Sequence, residues 1–280
     1  MIKTHKCKNG FQITHVHTNC KLFRIELVIK AGMLQEKRNQ LGFAHFIEHL
    51  MSFFPSTKFP NSTLNQQMLN TYALETNAYT SENVCGYFVE GLTDYFYNAI
   101  DLMMQNYCDP VLDDTIFEQE RSAVLNELQI ILKNSNHDLE YLTQKVIFNG
   151  TILQETVSAE IENIKKNASL KNILDFRHSF YRPEITTMII TSNLSNSGFN
   201  KLCNDIENFY FKSTTSTSQK NGNIISPVTK LPQSDYSNFK FFYVKPRMEG
   251  PSYNILFYFP IPIDSYSDDI LILKFIEMIL

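Results

Sequence analysis

The chain has 280 residues, 43% of them hydrophobic, and its 25 basic and 29 acidic side chains leave a net charge of −4. This length fits one and a half to two domains with a real core, and the balanced charge offers no basic stripe for nucleic acid. No run of 18 uncharged apolar residues exists to span a membrane, and Met1 to Cys7 resemble neither a signal nor a transit peptide, so the expected location is cytoplasmic with no membrane partner.

In chain order, Phe11 to Val16 and Lys21 to Lys30 read as a strand pair, the second alternating Ile25, Leu27 and Ile29 with more polar neighbours. His15 and His17 fall on one face of the first strand, where an exposed edge is a better reading than a metal site. A helix is expected from about Gly42 to Phe53, another from Thr63 to Leu74, then a strand from Ala78 to Glu90 and a long helix from Thr93 to Tyr107 that Asp109-Pro110 stops. Asp114 to Lys133 carries Ile116, Phe117, Val124, Leu125, Leu128, Ile131 and Leu132 near a helical period, with Asp113 or Asp114 as N-cap, and helix continues to about Ile147. Ala159 to Lys166, Leu170 to Phe180 and Gly198 to Phe209 read as helices, and Thr186 to Ser192 as a strand. Strands and helices interleave without clean βαβ repeats. The fold class is therefore α+β, a mixed and largely antiparallel sheet covered by helices on one face.

Residues 1–211 are expected to form the first domain and 212–235, rich in Ser and Thr, a flexible linker. Residues 236–280 read as the start of a second, similar domain that stops inside an apolar helix. Five cysteines, Cys7, Cys20, Cys85, Cys108 and Cys203, form no Cys-x-x-Cys pair, and their odd number argues for reduced thiols.

The chemistry concentrates in His45-Phe46-Ile47-Glu48-His49. Residues three and four apart on a helix are neighbours, so His45 and His49 can share one ion with Glu48 beside it. Catalytic zinc takes three protein ligands of this kind and keeps a fourth position for water, whose pKa falls to about 7 and whose proton a nearby glutamate can accept. Glu120 and Glu127 lie seven apart on a predicted helix and so share a face. One can bind the metal while the other orients a ligand.

These motifs resemble the pitrilysin/insulysin family of zinc metallopeptidases, which includes the mitochondrial processing peptidases. The likeness runs in order through Lys8-Asn9-Gly10-Phe11, Lys30-Ala31-Gly32, Gly42 to His49 with its inverted zincin signature, Thr57-Lys58-Phe59-Pro60, Asn77-Ala78-Tyr79-Thr80, Glu120-Arg121, Glu127 and Phe180-Tyr181-Arg182-Pro183. The resemblance implies one Zn2+ per chain held by His45, His49 and Glu127, Glu48 as general base and Glu120 as the supporting glutamate. It also implies that Asn77 and Ala78 lie beside a bound peptide whose strand adds to the sheet. The implied function is a zinc-dependent endopeptidase acting on unstructured peptides, its chamber completed by a second family domain or subunit. The alternative is a non-catalytic relative acting as a structural or peptide-binding subunit.

Overall fold

A computed structural model of the chain describes residues 2–133, 144–145, 148 and 150–211. The expected linker at 212–235, the second domain at 236–280 and most of the helical continuation after Lys133 lie outside the described residues.

Among the described residues the strands are β1 (Ile2–Lys6), β2 (Gln12–His17), β3 (Leu22–Ile29), β4 (Glu75–Thr80), β5 (Cys85–Leu92) and β6 (Thr186–Ser192). They form one sheet in the order β1-β2-β6-β3-β5-β4, in which β2 and β6 run parallel and every other neighbouring pair is antiparallel. The α-helices are α1 (Phe43–Met51), α2 (Ser62–Thr71), α3 (Phe96–Cys108), α4 (Asp114–Leu132), α5 (Val157–Asn167), α6 (Leu170–Phe180) and α7 (Asn196–Asp205). This is the α+β architecture that the interleaved sequence pattern predicts.

Strand alternation decides which face is covered. Phe23, Ile25, Leu27 and Ile29 of β3 are buried together with Tyr87 and Val89 of β5 and Met188 and Ile190 of β6, and they share one core with Phe43, Phe46, Ile47 and Leu50 of α1 and with Phe96, Ile100 and Met103 of α3. The opposite face carries Arg24, which lies 3.5 Å above the Phe88 ring and pairs with Glu90 at 2.9 Å and Glu26 at 3.2 Å. Helices therefore pack on the apolar face, and the other stays polar.

Three expectations need correcting, and one strand goes unread. The stretches Phe11 to Val16 and Lys21 to Lys30 form β2 and β3 but do not pair with each other, because β6 lies between them. The single strand expected from Ala78 to Glu90 is a hairpin, because Ser81 accepts from the Asn83 and Val84 N–H groups and turns the chain between β4 and β5. Strand β1 escapes apolar periodicity because its only large apolar residue, Ile2, is exposed, and its lysines suit a sheet edge. His15 is not at an exposed edge, since β1 and β6 flank β2, and its ring is buried against Phe199 of α7 at a centroid distance of 5.4 Å.

Candidate metal centre

Helix α1 starts where Gly42 adopts a left-handed backbone with φ of 81°, and glycine offers no side chain to cap it. Glu36 caps it instead. Its two carboxylate oxygens accept from the Gly42 N–H at 3.0 Å and the Ala44 N–H at 2.7 Å. Burial pushes the Glu36 carboxyl up to about 8, against the two N–H bonds and with a contribution from the Glu160 charge. The first turn of α1 is thus held by an acid hidden from solvent.

Phe43, Phe46, Ile47 and Leu50 bury the apolar face of α1, which turns His45, Glu48 and His49 toward the half-buried side. The two rings meet at a centroid distance of 4.9 Å. Helix α4, capped by Asp113 through the Ile116 N–H at 2.8 Å, lies alongside α1 with its own Phe117, Val124 and Leu128 in the core. That packing brings Glu127 within 3.6 Å of His45 Nε2 and 3.1 Å of His49 Nε2. His45, His49 and Glu127 present donor atoms that all lie within 4.8 Å of one another, close enough for one ion. The set of two imidazoles and one carboxylate is that of hydrolytic zinc sites, and the 49% exposure of Glu127 leaves one side accessible.

The remaining ring nitrogens are also engaged. Glu120 lies 3.4 Å from His49 Nδ1, and Glu160, on α5, lies 3.4 Å from His45 Nδ1. Burial acts to lower the His45 pKa, but the bond to Glu160 and the charges of Glu160, Glu48 and Glu127 outweigh it and hold the ring above its ordinary value. Glu48 accepts a hydrogen bond from the Thr80 hydroxyl at 2.7 Å. The contact joins α1 to the end of β4, the terminal strand of the sheet among the described residues.

Of the residues singled out in the sequence, His45, Glu48, His49, Glu120 and Glu127 therefore converge. Asn77 and Ala78 lie on β4, where the Asn77 side-chain oxygen accepts from the Ala78 N–H at 2.8 Å. Glu36, Thr80 and Glu160 join the cluster without being singled out as site residues in the sequence, where Thr80 stands only as the last residue of the matched Asn77-Ala78-Tyr79-Thr80 stretch.

Residues 14–172 match the family model described as Insulinase (Peptidase family M16). The mitochondrial-processing peptidase subunit beta of Dictyostelium discoideum is 25% identical over 157 residues, covering 56% of this chain and 33% of that protein. Protease 3 of Escherichia coli (strain K12) is 27% identical over 175 residues, covering 60% of this chain and 18% of that protein. The chain thus spans a third or less of these curated relatives. The crystal structure of a protease from Helicobacter pylori matches 84% of this chain and 55% of that one with a TM-score of 0.73 at 20% identity, a likeness of fold.

Proposed function

This chain belongs to the insulinase family, peptidase family M16, and from that premise we propose that it acts as a zinc-dependent endopeptidase on unstructured peptides. The observation that carries the reading is the convergence of His45, His49 and Glu127 within 4.8 Å, with Glu48 on the same helical turn as the two histidines. Zinc, when bound there, supplies a positive charge that acidifies water and polarises a carbonyl.

Glu48 is the general base in this proposal. The Thr80 hydroxyl occupies one of its oxygens and fixes the carboxylate, while the other can take a proton from water and return it to the departing amine. Glu120, 3.4 Å from His49 Nδ1, would help to orient that ring. Asn77 and Ala78 would lie beside an extended substrate that adds to β4 through main-chain hydrogen bonds. A further family domain or subunit would complete the chamber. The length of the relatives, one of them named as a subunit, supports that part of the proposal.

The test compares zinc content and peptide hydrolysis of the natural product with those of its Glu48→Gln variant. We expect about one equivalent of zinc in both and a loss of turnover of about 10²–10⁴-fold in the variant. Equal turnover would remove the base assignment, and failure of both proteins to bind zinc would remove the metal.

A further inference from the structure

Both histidines of α1 are held from behind by a carboxylate, and only one of the two carboxylates belongs to the motif set read from the sequence. Glu120 meets His49 Nδ1 and Glu160 meets His45 Nδ1, each at 3.4 Å, while both Nε2 atoms face Glu127. We infer that Glu160 is the positioning residue of His45: its carboxylate accepts from the Nδ1–H and thereby turns Nε2 toward Glu127. The value of this role for metal binding rests on the zinc reading above, whereas the hydrogen bond itself does not.

The placement of Glu160 is built into three elements. Thr156 caps α5 by accepting from the Ala159 N–H at 2.9 Å, so Glu160 lies in the first turn of a fixed helix. One turn later the Asn163 amide donates to the Leu41 carbonyl at 2.8 Å, tying α5 to the segment that enters α1. From α4, Arg121 donates to the Lys165 carbonyl at 2.8 Å. The helices bearing His45, Glu127 and Glu160 are thus cross-linked by polar bonds whose partners lie 44 and 122 positions apart.

Gly42 supplies an independent sign that the carboxylate arm has a reserved path. A Cβ at that position would come within 2.6 Å of Glu160 Cγ and 2.8 Å of Oε1, besides being strained at a φ of 81°. The absence of a side chain on Gly42 lets α5 press its glutamate against the start of α1. The Glu160 side chain is only 15% exposed, against 49% for Glu127. Two carboxylates near one ring therefore differ in kind: one is enclosed with the ring's back nitrogen, the other open toward solvent. An imidazole that ligates metal is oriented by such a partner on its other nitrogen, and loss of that partner weakens metal binding about 10–100-fold.

The test uses Glu160→Ala and the near-isosteric Glu160→Gln, with histidine ring N–H signals read by NMR and zinc affinity read by competition with a chelator. In the native protein the His45 Nδ1–H should be protected from exchange and shifted downfield. Glu160→Ala should abolish that protection and weaken zinc binding about 10–100-fold, leaving the His49 signal in place. Glu160→Gln retains an acceptor oxygen and should fall between the two. Should the alanine variant not fold, the glutamine variant decides on the same signal. An unchanged His45 Nδ1–H signal overturns the proposal whatever the affinity does. Native zinc affinity in His45→Ala and Glu127→Ala would instead overturn the metal reading, and the ring signal would still judge Glu160.

Discussion

Two pairs of histidines in this molecule look alike on paper and differ in fate. His45 and His49 bring their rings to 4.9 Å on a helix, and His15 and His17 bring theirs to 6.1 Å on a strand. Around the first pair stand the carboxylates of Glu48, Glu120, Glu127 and Glu160. The second pair is held by hydroxyl and carbonyl groups: His15 Nε2 meets Ser192 Oγ at 3.0 Å, His17 Nδ1 donates to the Leu194 carbonyl at 3.1 Å, and the His15 ring stacks on Phe199. Their pKa values separate accordingly. His45 is raised because carboxylates outweigh burial, while at His15 burial outweighs the bond to the Ser192 carbonyl and lowers the ring. Ring proximity alone does not mark a candidate metal site; the supply of negative charge behind and between the rings does.

The sharpest way to break this comparison is to remove one ring from each pair. His49→Ala should weaken zinc binding by more than the roughly 100-fold ascribed to loss of an orienting partner, because a ligand itself is gone. His17→Ala should leave the affinity unchanged. Chelator competition reads both, and an equal loss in the two variants would erase the distinction.

The buried acid under α1 gives the next effect. Glu36 titrates at about 8 in the folded chain and near 4.5 when unfolded, so the folded state holds a proton that the unfolded state releases between those values. Its stabilising contribution is complete below pH 4.5 and is lost progressively as pH rises to 8 in the metal-free protein. Urea unfolding across that range should show the native protein losing ground to Glu36→Gln, which does not titrate. A stability difference independent of pH would mean that Glu36 stays ionised.

Ser192→Ala removes the hydroxyl partner of the buried His15 nitrogen but leaves the Ser192 carbonyl at 3.3 Å, and should cost about 0.5–1.5 kcal/mol, with zinc affinity intact. Smallest is Arg24→Met on the polar sheet face. Its pairs with Glu26 and Glu90 are half-exposed, and the change in unfolding free energy should stay within about 1 kcal/mol.

The difference between the two histidine pairs also marks how far the sequence alone reaches. Helices α1 and α4 are legible because apolar residues repeat at helical spacing, and the seven-residue gap between Glu120 and Glu127 puts both on one face before any tertiary contact is known. Strand β3 is legible by alternation. Strand β1 is not, having no buried stripe, and the β4–β5 turn hides because Ser81 to Val84 contains neither Gly nor Pro. Glu36, Thr80 and Glu160 acquire their roles only from packing: one is a glutamate among polar neighbours, and another lies 115 positions from the ring it touches. The burial of His15 is invisible for the same reason, since Phe199, 184 positions later on α7, covers the ring, and nothing in the strand's own residues does.

X-ray absorption at the zinc edge tests the central claim most directly. In the zinc-loaded protein we expect a shell of nitrogen and oxygen donors at about 2.0–2.2 Å with two imidazoles, dropping to one imidazole in His45→Ala and unaltered in His15→Ala. A sulfur donor at about 2.3 Å, which would bring in a thiol such as buried Cys85, or a shell that ignores His45→Ala, would contradict it.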